Sequence, residues 1–437
     1  MDKPVVNVGI LTEKEILFSF NGKYINAETG EFLSGEQRAI LVNNQIVFNG
    51  ERYDDLFFEP ANKDNSFDIK AVTIGVQFHW ERKEDERFKG ALNLVPTPEG
   101  ITVINQVLIE EYLTSVISSE MSATASDELL KAHAVISRSW LLAQIEKSNN
   151  LTETKEKYTT NYQTDTEITR WYDREDHTMF DVCADDHCQR YQGITKASTP
   201  NVQKAIAATE GLILTSEGKI CDARFSKCCG GMTELFENCW EPVSHAYLQA
   251  FEDNTSDEVP DLTNEANADT WIRTSPKAFC NTTNKIILSQ VLNNYDQETM
   301  DFYRWKVILK QDEISELIKR KSGIDFGSII DLIPVERGTS GRLIKLRIEG
   351  TKKTMTIGKE LEIRRYLSES HLYSSAFVID KEGEVNGLPQ TFILTGAGWG
   401  HGVGLCQIGA AMMGAKGYDY KQILSHYFRG AELEKRY

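Results

Sequence analysis

Residues 110–140 read EEYLTSVISSEMSATASDELLKAHAVISRSW, and this stretch decides the fold because the hydrophobic pattern becomes helical within it. Apolar side chains recur at helical spacing over 112–121 and again from Leu129 onward. Ser126 is placed to cap the second run, and Asp127 and Glu128 follow in its first turn, where the helix dipole favours acidic groups. The stretch predicts two consecutive helices, the second of about five turns.

The segments on either side of these helices have a different pattern. Residues 5–108 contain short apolar runs separated by turn signals such as Asn21-Gly22 and Asn49-Gly50, which is typical of antiparallel strands. Strand-like runs return at 205–226 and 329–395. We therefore predict an α+β protein with a β-rich core and one long central helix. Its predicted parts are a β-rich N-terminal region (1–108), a core (109–240 and 331–437) and a partly helical insertion (241–330).

Composition excludes several classes of function. The 437 residues include 41% hydrophobic and 26% charged residues, as in ordinary globular proteins. The net charge of −17 argues against a nucleic-acid partner and against docking on anionic lipid, while glycans remain open as ligands. No apolar run is long enough to span a bilayer. The opening MDKPVVNVGIL lacks the features of an export signal, so we expect a cytoplasmic protein or one whose signal is absent from this sequence.

A cluster of metal-ligand side chains stands in the segment HTMFDVCADDHCQRYQG. Four residues of the types that bind Zn²⁺ fall within this segment: His177, Cys183, His187 and Cys188. Four protein ligands would close a tetrahedral shell and leave no position for an activated water, so the zinc would be structural. The alternative is a Cys183–Cys188 disulfide with two solvated histidines.

Three further features are candidates for chemistry. Glu120 lies at the junction of the two predicted helices, and partial burial there would favour the protonated carboxyl group that a general acid needs. Residues 398–404, GWGHGVG, place His401 between glycines that permit close approach to a ligand, although a tight turn explains the pattern equally well. Residues 225–233, FSKCCGGMT, form a second glycine loop, whose cysteines are either oxidised or small buried thiols.

Together these segments resemble the SpoIID/LytB family, which comprises stage II sporulation protein D and the amidase enhancer. The family pattern V-x-x-x-E-M corresponds to 116–121, and L-K-A-x-A-V-x-x-R-[ST] corresponds to 130–139. A Cys/His zinc site follows at 177–188, then Y-x-x-x-S-G-G-x-T at 225–233 and G-W-G-H-G-V-G-x-x-Q-x-G-A at 398–410. The matches keep the family's order along the chain.

The resemblance implies a lytic glycosidase that cleaves peptidoglycan glycan strands between N-acetylmuramic acid and N-acetylglucosamine. It implies that Glu120 is catalytic and that the zinc is structural. It also implies a location outside the cytoplasm, in the periplasm or cell envelope. We predict that substrate contacts come from the glycine loops: Ser226, Gly230, Gly231, Trp399 and His401.

Two departures from the family pattern favour an alternative. Phe225 stands where the family has Tyr, and Cys229 stands where it has Ser, so two hydroxyl groups are lost. The alternative is a non-catalytic glycan-binding module that enhances or localises a cell-wall amidase. An oxidising compartment would also permit a disulfide from Cys239 to Cys228 or Cys229, or else to Cys280.

Overall fold

The structure is a computed structural model that describes residues 3–75, 81–122, 124–151, 159–171, 177–185, 188–195, 199–254, 260–291 and 301–437. The strands are β1 (Val5–Glu13), β2 (Glu15–Asn26), β3 (Phe32–Val42), β4 (Gln45–Phe48), β5 (Glu51–Tyr53), β6 (Leu56–Pro60), β7 (Ser66–Ile74), β8 (Arg82–Lys89), β9 (Ala91–Pro96), β10 (Ile101–Leu108), β11 (Asn161–Gln163), β12 (Glu167–Arg170), β13 (Val182–Cys183), β14 (Leu212–Ser216), β15 (Lys219–Ile220), β16 (Phe225–Ser226), β17 (Arg304–Lys310), β18 (Ile329–Arg337), β19 (Leu343–Gly350), β20 (Thr354–Gly358), β21 (Phe377–Val385), β22 (Leu388–Ala397), β23 (Leu405–Cys406) and β24 (Glu432–Lys435). The helices are α1 (Ile109–Glu120), α2 (Asp127–Leu151), α3 (Pro200–Ala208), α4 (Glu265–Arg273), α5 (Lys285–Val291), α6 (Gln311–Ser322), α7 (Glu360–Tyr366), α8 (Gln407–Ala415) and α9 (Tyr420–Tyr427).

The N-terminal strands form a large antiparallel sheet in the order β13-β1-β10-β9-β6-β2-β3-β4-β5, with β7 and β8 paired beside β2. Alternation along the strands buries one face, where aromatic rings pack edge-on and stacked at centroid distances such as 4.4 Å for Phe20–Tyr24. The predicted α+β, β-rich fold is confirmed. One edge carries β13, which pairs in parallel with β1 and brings the predicted zinc segment to this sheet.

Helices α1 and α2 follow the sheet as predicted. Ser126 accepts a hydrogen bond from the Leu129 N–H at 3.4 Å and so caps α2. Residues 132–141 of α2 are buried on all sides, which makes α2 the central helix of the molecule. It packs against α1, α3, β14, α8 and α9.

The remaining strands form smaller sheets, including β11-β12-β20-β19-β18 and β17-β22-β21. The segment predicted as an insertion, 241–330, packs against the flanking parts of the chain. Its strand β17 pairs with β22, and its helix α5 contacts α8. The domain boundaries proposed from the sequence remain a prediction. Among the described helices, none combines the length and the apolar character needed to traverse a bilayer.

A buried ion pair joins the two central helices. Arg138 of α2 has no exposed side-chain surface, and its Nε and Nη2 donate to the two carboxylate oxygens of Glu110 at 3.0 and 2.7 Å. The Arg138 Nη1 also donates to the Leu212 carbonyl at 3.0 Å, and the Tyr437 hydroxyl donates to Glu110 at 2.5 Å. The pair therefore holds α1, α2 and β14 together. Removing either side chain would leave the other charge buried without a partner.

We predict that Glu110→Ala lowers the free energy of unfolding by about 3–5 kcal/mol, because Arg138 would keep its charge without a carboxylate partner. The matched control is Glu111→Ala, one residue further along α1, where the side chain is exposed. Urea denaturation followed by circular dichroism measures both variants. Equal stabilities for the two variants would contradict a structural role for the pair.

Candidate active site and metal-binding residues

The two glycine loops predicted from the sequence lie against each other. β16 pairs in parallel with β23, and the backbone groups of Cys228 and Trp399 exchange two hydrogen bonds at 3.0 and 2.7 Å. A Cβ atom on Gly230 would approach the backbone nitrogen of Gly398 to 2.9 Å, and the φ angle of Gly230 is 79°. Only glycine fits such a close approach at positive φ. The glycines at 230 and 398 therefore serve loop-to-loop packing.

Arg342 binds both glycine loops at once. Its guanidinium is almost fully buried and donates to the Gly400 carbonyl at 3.0 Å and to the Cys229 carbonyl at 3.2 Å. A Cβ atom on Gly402 would meet the guanidinium carbon at 2.6 Å, so a larger residue there would displace Arg342. Sequence analysis did not identify Arg342, because an isolated arginine in a strand-rich segment gives no local signal of its long-range partners.

A buried carboxylate, Glu234, fixes the loop that precedes Arg342. Its oxygens accept hydrogen bonds from the Ser340 N–H at 3.1 Å and from the Thr339 hydroxyl at 2.8 Å. The Glu234 N–H in turn donates to the Gly402 carbonyl at 2.9 Å. Glu234 was also not identified from the sequence. It connects the 338–341 loop to the 398–404 loop, which carries His401.

His401 is half-buried in this assembly. Its Nδ1 accepts a hydrogen bond from the Val403 N–H at 3.0 Å, and its ring lies edge-on to Trp240 with centroids 5.0 Å apart. Burial, followed by the positive charges of Arg224 and Arg342, holds the pKa of His401 well below its usual value. The ring is therefore neutral near pH 7, with its acceptor nitrogen committed to the loop backbone.

A second histidine, His133 of α2, is fully buried beside the same loops. Its Nδ1 lies 3.1 Å from the Ser137 hydroxyl and its Nε2 lies 3.1 Å from the Gln407 side-chain nitrogen, which fits the tautomer protonated at Nδ1. The ring contacts Phe225 edge-on at 4.6 Å. Burial, aided by the charge of Lys227, lowers the pKa of His133 to about 3. The sequence showed this residue only as the variable position in a helix motif.

Glu120 is the last residue of α1 and is half-buried. The chain then turns so that the Ser122 N–H donates to the Gln290 carbonyl of α5 at 3.0 Å. The Lys227 ammonium of the glycine loop donates to the Val291 carbonyl of the same helix at 2.7 Å. The end of α1 and the 225–231 loop thus meet the same end of α5. The catalytic role of Glu120 remains a prediction.

The other predicted substrate contacts are also engaged within the protein. The Trp399 ring stacks between Phe302 and Tyr373 at centroid distances of 4.7 and 4.5 Å. A Cβ atom on Gly231 would meet the Tyr303 hydroxyl at 2.7 Å. The Ser226 hydroxyl is buried and forms no hydrogen bond to any described residue. Of this set, Ser226 has the polar group with unused bonding capacity. The assignment of these residues to substrate remains a prediction.

Three of the four predicted zinc ligands converge. The His177 Nε2 lies 3.4 Å from the Cys188 sulfur, and ligand atoms of His177, Cys183 and Cys188 all lie within 4.8 Å of one another. His187 lies outside the described residues. The Cys183 N–H donates to the Cys188 sulfur at 3.4 Å, as is usual for a metal-bound thiolate. The alternative Cys183–Cys188 disulfide is not formed, and the donor set fits a metal site.

A second group of possible metal ligands was not recognised from the sequence as a set. Cys229, Asp253, Cys280 and Cys406 are all buried, and their ligand atoms lie within 4.8 Å of one another. Their positions are far apart along the chain, so no local spacing reveals them. The part of the chain that the structure describes therefore contains two groups that could bind a metal.

The expected disulfides of Cys239 are wrong. All eight cysteines are among the described residues, and none of them forms a disulfide bond. The Cys239 sulfur points instead to the His401 carbonyl oxygen at 3.7 Å. Two of the partners expected for it, Cys229 and Cys280, lie next to each other. Spacing along the chain could not show this, because Cys239 contacts the loop that carries His401 and Cys280 contacts the loop that carries Cys229.

Comparison with known proteins places this site in a family. A family model described as "Stage II sporulation protein" matches residues 97–216, which include α1, α2 and the metal segment. A model described as "Domain of unknown function (DUF8618)" matches residues 234–404. Residues 97–216 are therefore similar to the stage II sporulation protein family.

The relatives agree with this classification. Stage II sporulation protein D of Bacillus subtilis is 24% identical over 79% of this chain and 82% of its own length. An uncharacterized protein of Brachyspira hyodysenteriae is 26% identical over 79% of this chain and 72% of its own. The amidase enhancer of Bacillus subtilis is 25% identical over 74% of this chain but only 40% of its own length. The resemblance to the SpoIID/LytB family that the sequence motifs predicted is confirmed.

We predict that protonation of His133 opposes folding at acid pH. A folded-state pKa of about 3, against an ordinary value of about 6.5, means that the unfolded chain takes up this proton first as the pH falls. The contribution of neutral His133 to the free energy of unfolding is retained above about pH 6.5. Below that pH it is progressively lost, by about 2 kcal/mol at pH 5. His133→Gln should therefore lose less unfolding free energy than the unmodified protein between pH 8 and pH 5. Parallel pH dependences for the two proteins would contradict this role.

Proposed function

We propose that this protein is a lytic enzyme that cleaves the glycan strands of peptidoglycan between N-acetylmuramic acid and N-acetylglucosamine. The observation that supports the proposal most strongly is the meeting of three family motifs at one place. The 225–231 loop is hydrogen-bonded to the 398–406 loop. The 225–231 loop and the end of α1 both contact α5. Glu120 is the ionisable group that the α1 motif brings to this region.

The proposed chemistry needs one carboxyl group. Glycosidases that use water or a covalent intermediate flank the bond with two carboxylates. A lytic enzyme instead uses the C6 hydroxyl of the muramic acid, which closes onto C1 and forms a 1,6-anhydro ring. Glu120 would first donate a proton to the leaving glycosidic oxygen and then accept the proton of the C6 hydroxyl. The net reaction consumes no water and returns Glu120 to its starting state.

The histidines would act by position rather than by proton transfer. His401 and His133 are both neutral near pH 7 because burial lowers the pKa of each. Their ring nitrogens are also bonded to the Val403 backbone and to Ser137 and Gln407. They would hold the glycine loops in register beside the sugar, and the buried Ser226 hydroxyl is available to a ligand.

The first metal group would be a structural zinc site. His177, Cys183 and Cys188, together with the predicted ligand His187, are suited to tetrahedral Zn²⁺. Bound zinc would supply a cross-link and no open position for chemistry. Because β13 pairs with β1, the cross-link would fasten the segment that follows α2 to the edge of the large sheet.

The second candidate function is a glycan-binding module that stimulates a cell-wall amidase without cleaving the strand. Two observations favour it: the match to the amidase enhancer of Bacillus subtilis, and the loss of two family hydroxyl groups at Phe225 and Cys229. Either function places the protein outside the cytoplasmic membrane, where peptidoglycan lies.

We predict that Glu120→Gln abolishes the release of 1,6-anhydromuramic products from purified glycan strands, because the amide can neither donate nor accept the required proton. Glu111→Gln, on an exposed turn of the same helix, is the matched control and should keep full activity. Mass spectrometry of the digested strands measures both. An inactive unmodified protein that still binds the strands would support the enhancer function, and an active Glu120→Gln variant would move catalysis to another residue.

We predict that Cys188→Ser removes one zinc per chain relative to the unmodified protein and lowers Tm, because metal-binding energy at such a site is folding energy. Cys221→Ser alters a buried thiol outside both metal groups and should leave the zinc content unchanged. Elemental analysis and calorimetry give the two readouts. Unchanged zinc in Cys188→Ser would reject the first metal group as the binding site.

A further inference from the structure

The second metal group lies behind the glycine loops, in the buried core. Cys229, Cys280 and Cys406 are at most 2% exposed, and Asp253 has no exposed surface. The Cys229 and Cys280 sulfurs are 3.6 Å apart, and the Cys229 N–H donates to the Cys406 sulfur at 3.2 Å. Three thiols and a carboxylate are thus buried together in the interior.

The spacing of the sulfurs suits a shared metal ion. Zinc–sulfur bonds of about 2.3 Å in a tetrahedral shell place neighbouring sulfurs about 3.8 Å apart. The observed 3.6 Å is close to that value, whereas a disulfide requires about 2.05 Å. The geometry therefore favours ligands around one cation over a covalent bond between two of them.

The charges around Asp253 also favour a bound cation. Its Oδ1 accepts from the Tyr427 hydroxyl at 2.7 Å, and its Oδ2 accepts from the Cys280 N–H at 3.1 Å. Among the described residues, the group within ion-pair distance of it is the His426 imidazole, at 3.4 Å, which carries a charge only when protonated. A buried carboxylate without a lysine or arginine partner is costly, and a bound cation would compensate it.

The scaffold leaves little freedom to these four side chains. A Cβ atom on Gly409 would come within 2.7 Å of the Asp253 Oδ2, so the first turn of α8 is shaped around the carboxylate. Arg342 holds the Cys229 carbonyl at 3.2 Å. Cys406 is the last residue of β23 and is fixed by pairing with Ser226 of β16. Ligands that are positioned before binding are a mark of a built site.

We propose that Cys229, Asp253, Cys280 and Cys406 form a second metal site, which takes a thiolate-preferring divalent cation such as Zn²⁺. Binding releases the thiol protons to solvent and gives a closed shell of three sulfurs and one carboxylate oxygen. The ion would cross-link the 225–231 loop, the segment at Asp253, the turn at Cys280 that precedes α5, and the end of β23. This inference does not depend on the proposed glycosidase activity, since the four ligands are independent of Glu120.

Metal content of the full-length protein tests the proposal. The protein is expressed in zinc-supplemented medium and passed over a chelating resin, and zinc is then measured by elemental analysis. We expect two zinc ions per chain in the unmodified protein and one in Cys280→Ser. The double variant Cys188→Ser/Cys280→Ser should hold none, and Cys221→Ser should keep two. A zinc content that is the same in Cys280→Ser as in the unmodified protein would overturn the second site.

A measurement on the unmodified protein covers the case in which Cys280→Ser fails to fold. Protein loaded with ¹¹³Cd²⁺ should give two cadmium resonances, one from the His/Cys group and a second from the group with three sulfurs. A single resonance would overturn the proposal. Thiol counting in denaturant with chelator should find eight free thiols, and six, with Cys229 and Cys280 joined, would equally reject it.

Discussion

The candidate site depends on the guanidinium of Arg342, because it is the group that holds both glycine loops. It donates to a carbonyl on each loop, at Cys229 and at Gly400, and is itself almost fully buried. The glycine at 402 leaves the space that the guanidinium occupies. Glu234 fixes the loop before Arg342 through Ser340 and Thr339. A buried charge of this kind tolerates little movement, so the loops that carry Ser226 and His401 have one arrangement relative to each other.

The fold was largely predictable because its signals are local. Alternating strands, turn residues and the helical spacing of 110–140 each act over a few residues, and β1–β10, α1 and α2 follow from them. The His177, Cys183 and Cys188 group was found for the same reason, since its members stand close together along the chain. The partners of Arg342 and Cys229 could not be found in this way. They are brought together by strand pairing between distant segments, for which a single sequence carries no spacing rule.

Two departures from the family pattern have structural roles in this chain. Phe225, in place of a tyrosine, packs edge-on against the buried His133, where a hydroxyl group would need a partner. Cys229, in place of a serine, faces Cys280 and Cys406, and the latter stands in the closing motif of the family. The losses of hydroxyl groups thus coincide with gains in buried packing and in thiol ligands. They alter the interior behind the loops and leave Glu120 and His401 in place.

The parallel contact between β16 and β23 sets a minimum time for the site to form. Cys229 and Cys406 are 177 residues apart, so the first is made well before its partner. At a synthesis rate of about 5–20 residues per second, the delay is roughly 10–35 seconds. During that interval the loop with Cys228 and Cys229 has no partner strand and its thiols are open to solvent. The nascent chain therefore passes through a period in which these thiols can be oxidised. Correct folding requires that they stay reduced until the last segment has been synthesised.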